Sequence, residues 1–222
     1  MICSQILILT FHGLGSPERR IDEAETEYWL DAVFFESILD RMKHYPDVFF
    51  TFDDSNSSDF TIAFPALIKR KMQARFFVVT ERIGSPGFLN AEQIAELSRA
   101  GMIIGSHGKS HRPWTQFNAI DLNNELTTSR LRLETIVKHA VTEAACPLGY
   151  YNRKVLKGLR AAGYTKVYTS DQGSACVDEW LSARNTILKN NTLDSVEHLA
   201  QETPGQMRKL LRSLKFTVKR FR

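Results

Sequence analysis

Two stretches of this chain carry residue types that could hold and use a divalent cation. The run Val48-Phe49-Phe50-Thr51-Phe52 ends in two adjacent carboxylates, Asp53 and Asp54, and further along Gly105-Ser106-His107-Gly108-Lys109-Ser110-His111 spaces two imidazoles four residues apart. Neighbouring carboxylates stay ionised at tolerable cost only beside positive charge, and a metal bound by imidazole and carboxylate supplies it. Either stretch alone could be a helix cap or a solvated loop. Together they suit a site of two histidines and one aspartate with positions left open for water, as in hydrolytic metal sites. Consecutive residues leaving a strand project in different directions, so one carboxylate can bind the metal while the other faces its water as general base. The metal lowers the pKa of that water toward about 7 and polarises a carbonyl.

The elements that must position these residues can be read from the apolar pattern. Short apolar runs at Ile2–Phe11, Val48–Phe52, Ala74–Val79, Met102–Ile104, Thr142–Cys146 and Tyr164–Thr169, with a last one inside Trp180–Leu188, read as buried strands. Amphipathic helices are expected over Trp29–His44, Phe60–Lys71, Ala91–Ala100, Ala119–Val137 and Tyr151–Ala162. Asn90 and Gly101 punctuate the third helix, and the end of the polar loop Ser55–Asp59 can cap the second. Repeated βα units imply a parallel sheet, open or closed into a barrel. His12, Asp53, Asp54, His107 and the turn Pro147-Leu148-Gly149 all follow strand ends, the edge where parallel sheets build active sites.

Length and composition set the frame. The chain has 222 residues, 43% of them hydrophobic and 24% charged, as in an ordinary soluble globular domain. No apolar run approaches a membrane span, and no signal-peptide pattern precedes Phe11, so a cytoplasmic location is expected. Three cysteines are too few for a disulfide framework. The net charge of +4 is uneven: the segment 203–222 holds seven Lys or Arg and no acid, which leaves the remainder at −3. The body is therefore no nucleic-acid binder. The segment 203–222 reads as a basic amphipathic helix or tail, packed on a barrel domain spanning 1–202 or touching an anionic membrane.

Thr51-Phe52-Asp53-Asp54, then Ser106-His107-Gly108-Lys109-Ser110-His111, then Ala145-Cys146-Pro147-Leu148-Gly149 resemble the ordered motifs of the polysaccharide deacetylase family, also called NodB-homology or carbohydrate esterase family 4. The resemblance runs from about Ile6 to Ile187. It implies an α/β fold, a distorted seven-stranded β/α barrel in one domain, and removal of acetyl groups from sugars with one divalent metal, zinc in many members, with cobalt, manganese or nickel also compatible. Carried over, Asp53 is the base, Asp54, His107 and His111 are the metal ligands, and the Leu148 N–H helps hold the oxyanion. The general acid by the same resemblance is His12, after the first strand, with His198 as a weaker match late in the chain. The implied substrate is an acetylated amino sugar, nucleotide- or lipid-linked if the protein is not exported.

The chain departs from the family pattern in two places. Ser55 stands where a glycine usually follows the aspartate pair, and Ala145 stands where an arginine usually orients the base. Arg184 resembles a late arginine of some members and could substitute. Trp114 could stack on a sugar ring or pack in the core. The competing reading is a non-catalytic carbohydrate-binding or scaffold protein on a decayed deacetylase fold, and retention of the whole ligand set argues against it.

Overall fold

The computed structural model describes residues 4–201, so the expectation for 203–222 lies outside the described residues. In chain order the elements are β1 (Gln5–Phe11), β2 (Gly13–Leu14), β3 (Trp29–Leu30), α1 (Ala32–Met42), β4 (Val48–Phe52), α2 (Phe64–Lys69), β5 (Ala74–Val78), α3 (Ala91–Arg99), β6 (Ile103–Ser106), α4 (Ala119–Val137), β7 (Glu143–Ala145), α5 (Arg153–Ala161), β8 (Lys166–Thr169), β9 (Ser174–Cys176), β10 (Leu181–Ala183), β11 (Asn185–Thr186) and α6 (Leu193–Gln201). Side chains start most helices: Asp31, Asn118 and Asn152 accept from first-turn amides, and Asn90 forms a reciprocal capping box with Gln93.

The main sheet runs β10-β8-β7-β6-β5-β4-β1-β11 and is parallel along this path. Its two edges are almost the same piece of chain. β10 pairs with β8, β11 pairs with β1, and only Arg184 lies between them. The segment thus leaves one edge for the other at Arg184, closing the sheet into a nearly complete barrel of eight strands, or seven if the interrupted last one counts once. The expected barrel is therefore present, with its distortion located at one residue.

Period-two alternation separates the layers. Leu7, Leu9 and Phe11 of β1 join Phe35, Ile38 and Leu39 of α1 in the outer core, while Ile6 and Ile8 pack with Phe77, Ala145 and Tyr168 inside the barrel. Three local expectations need correction. The stretch after the aspartate pair is a π-type turn over Asp59–Ala63 before α2, and neither Ser58 nor Asp59 caps it; Ser58 instead accepts the Leu14 N–H. β9 runs antiparallel against the start of β1, and its three residues are too short for any periodic signal. The first helix starts at Ala32 rather than Trp29, because Trp29 and Leu30 form β3 and pair with β2.

Candidate active site

Strand ends deliver the site. Asp53 continues the inward parity of β4, and its N–H bonds to the Phe11 carbonyl. Asp54 and Ser55 then turn sharply, with φ of 74° and 60°. Left-handed geometry costs a non-glycine residue roughly 1–2 kcal/mol. Ser55 offsets part of this: its Oγ accepts the Val79 N–H at 2.9 Å and its carbonyl accepts the Leu89 N–H. The serine in the usual glycine position is thus integrated into the fold. His111 (φ 59°) and Leu148 (φ 55°) share the conformation, so backbone strain gathers at the site, as it does at functional centres.

The nitrogen and oxygen donors of Asp54, His107 and His111 lie within 4.8 Å of one another. His107 donates from Nδ1 to the Ala145 carbonyl at 2.9 Å, which leaves its Nε2 lone pair facing the cluster. Burial lowers its pKa to about 4, despite the opposing pull of Asp53 and Asp54, so the ring is neutral at physiological pH. His111 Nε2 lies 2.8 Å from Asp54 Oδ1, and Arg82 reaches both groups, at 3.2 Å from His111 Nδ1 and 3.3 Å from Asp54 Oδ1. Burial pushes the Asp54 carboxyl up, but the hydrogen bond and charge of His111, with His12 and His107, hold it well below the usual range. An imidazole pair with one carboxylate fits zinc and its borderline neighbours.

Asp53 takes a different partner. Arg184 clasps it with two parallel bonds of 2.7 Å, and the two are 1% and 3% exposed, so the pair is dry. Burial alone would raise the Asp53 carboxyl; Arg184, His107 and His12 bring it below its ordinary value. Arg184 is the strand-switch residue, and it is held between Thr51 and the rings of Phe77 and Tyr168.

Asp53, Asp54, Arg82, His107 and His111 line a cleft of about 590 Å³ together with His12, Tyr28, Leu148 and Tyr150. His12 packs its ring 5.0 Å from Tyr28, and its Nδ1 is buried with no hydrogen-bond partner. The turn around Leu148 bonds through the amides of Gly149 and Tyr150, and the Leu148 N–H stays outside those bonds. His198 is exposed on α6, which packs on α1, and does not line the cleft. Trp114 is corrected to a core residue: it is fully buried among Leu122, Leu126 and Tyr151, against the underside of Gly108. Sequence reasoning did not single out Arg82, although it follows β5 by the same strand-end rule. Nor did it find Asp59, whose carboxyl is 1% exposed with neither oxygen partnered. Burial, then Asp54 and Asp53, push that carboxyl well above its usual range.

Comparison with known proteins bears on the family and the fold. A sequence profile described as polysaccharide deacetylase matches residues 40–167. "Putative polysaccharide deacetylase YxkH" of Bacillus subtilis (strain 168) is 28% identical over 198 residues, covering 83% of this chain and 71% of that protein. The Streptococcus pyogenes deacetylase PplD, solved with acetate, superposes with a TM-score of 0.80 at 22% identity over 90% of this chain and 100% of its own. IcaB from Ammonifex degensii gives 0.76 at 19% identity over 89% and 97%. At these identities the two structures speak for the fold.

Proposed function

The chain belongs to the polysaccharide deacetylase family, and on that premise we propose that it hydrolyses the N-acetyl group of an amino sugar within a glycan. The observation that carries this reading is the division of labour between adjacent carboxylates: Asp54 sits with two imidazoles, while Asp53 is held by Arg184. Asp54, His107 and His111 would hold one divalent metal, zinc by preference. Bound there, it supplies Lewis acidity toward the acyl oxygen and a water of lowered pKa.

The chain's own groups do the rest. Asp53, ionised because Arg184 offsets its burial, takes the proton as water adds to the acyl carbon. The Leu148 N–H, fixed by its left-handed turn, donates to the carbonyl oxygen as charge develops there. His12 gives a proton to the leaving nitrogen as the C–N bond breaks, yielding acetate and an amine. Exposed Leu148 and Tyr150 offer an apolar rim for a sugar face. The sequence suggests a nucleotide- or lipid-linked sugar, but among the described residues the only arginine or lysine lining the cleft is Arg82, which is engaged with Asp54 and His111, while Asp22, Glu25 and Glu27 also line it. Among the described residues a diphosphate would meet these carboxylates and no uncommitted positive side chain, which favours a neutral glycan as substrate.

The test is metal content together with acetate release. Purified protein loaded with zinc, cobalt or manganese is expected to hold about one ion per chain and to release acetate faster from N-acetylglucosamine oligomers than from a nucleotide-linked N-acetylglucosamine. An Asp54→Ala, His107→Ala double variant should lose both properties. Wild-type protein that takes up none of the three metals would sink the hydrolase mechanism and favour the scaffold reading.

A further inference from the structure

The His107–His111 segment is not a helical turn. It leaves β6 through Gly108 at φ +80° and reaches His111 at φ 59°, so no local helix periodicity fixes the separation of the two imidazoles. Something outside the segment must set it. The group pressed against it is Glu125 of α4, 4% exposed. Its Oε1 accepts the N–H groups of Lys109 and Ser110, each at 2.8 Å. Ser110 Oγ adds contacts of 3.2 Å and 3.1 Å to the two carboxylate oxygens. The approach is close: a Cβ on Gly108 would meet Glu125 Oε1 and Trp114 Nε1 at 2.8 Å each, and the φ of +80° itself favours glycine there. One helical turn along α4, Ser129 Oγ bonds Ser106 Oγ at 2.9 Å, and Ser106 Oγ accepts the Gly108 N–H. One face of α4 therefore holds both the end of β6 and the turn beyond it.

From this arrangement we propose that Glu125 is a positioning residue of the metal site, the template that fixes where His111 stands relative to His107. Among the described residues Glu125 has no cationic partner, a costly state for a buried carboxylate, and its hydrogen bonds go to the short segment joining the two proposed metal ligands. Its negative charge also lies behind a site meant for a cation, where outer-shell partners typically change metal affinity 10–100-fold. The inference rests on the metal site proposed above.

Cobalt(II) tests it, read by competition with a chelating dye and by the ligand-field spectrum, which reports ligand geometry without turnover. Glu125→Gln keeps an acceptor oxygen for both amides and is expected to retain the wild-type spectrum, with affinity reduced about tenfold at most through the lost charge. Glu125→Ala is expected to bind roughly 10–100-fold more weakly with an altered spectrum. If Glu125→Ala does not fold, Glu125→Asp replaces it; its carboxylate is withdrawn by one methylene, and the same altered spectrum is expected. A folded Ala or Asp variant with wild-type affinity and spectrum overturns the role of Glu125 alone. Wild-type protein that binds no cobalt overturns the metal site, and this inference with it.

Discussion

Replacing Arg184 with methionine tests the central electrostatic argument. The Asp53–Arg184 pair is bidentate at 2.7 Å and almost fully buried, and removing one partner of such a pair costs about 3–5 kcal/mol, because it strands a buried charge. The cost must depend on pH, and the sign can be worked out. In the wild type the folded-state pKa of Asp53 is depressed, so the pair stabilises the fold above the unfolded value of about 3.9 and that contribution is lost as pH falls through the folded value. In Arg184→Met, burial dominates and the folded pKa rises, so ionised Asp53 opposes folding at neutral pH. The destabilisation, measured by urea unfolding in chelator at a series of pH values, should be largest near pH 7 and shrink toward pH 3. Measured again in an Asp53→Asn background, it should fall sharply, which isolates the pairwise part. The acid limb of kcat/KM should also move to higher pH, because the base is protonated more readily. A pH-independent loss of stability, undiminished in the Asp53→Asn background, would refute the reasoning and reduce Arg184 to a packing residue.

Three further outcomes are expected. His12→Gln should lower kcat by roughly 10²–10⁴-fold while leaving metal content at the wild-type level; an equal loss of metal would mean that His12 acts as a ligand. Asp59→Asn should stabilise the protein at neutral pH, since it removes the ionisation that opposes folding for a buried carboxyl with a raised pKa, one with no hydrogen-bond partner among the described residues. The sign again follows from linkage: a raised folded pKa opposes folding above the unfolded value, so the gain should vanish below about pH 4, and a gain that persists there would contradict the assignment. Ser55→Gly relieves left-handed strain of roughly 1–2 kcal/mol but orphans the buried Val79 N–H at about 1–3 kcal/mol. Thermal melting should therefore show a small net destabilisation, and a clearly raised melting temperature would mean that the serine hydroxyl contributes nothing.

The main strands and helices were legible in the sequence, because apolar period and caps are local properties: the helix expected over Ala119–Val137 has those bounds in the fold, whereas the two- and three-residue strands β2, β3 and β9 were not. The sequence also singled out Asp53, Asp54, His107 and His111, since residues at the ends of parallel strands converge whatever the details of the sheet. Tertiary structure decided which partners they keep. Arg184 could be suspected from its neighbourhood, but its role needs the chain to switch from β8 to β1 at that residue, a register fact that no local pattern encodes. Trp114 was ambiguous for the same reason, since only the packing of α4 and α5 over it decides between core and cleft. Asp59 and Glu125 look alike in sequence, each a lone acid beside apolar residues. Among the described residues one is left without a hydrogen-bond partner, and the other holds the turn between His107 and His111, because burial and hydrogen bonding depend on neighbours that arrive from distant parts of the chain.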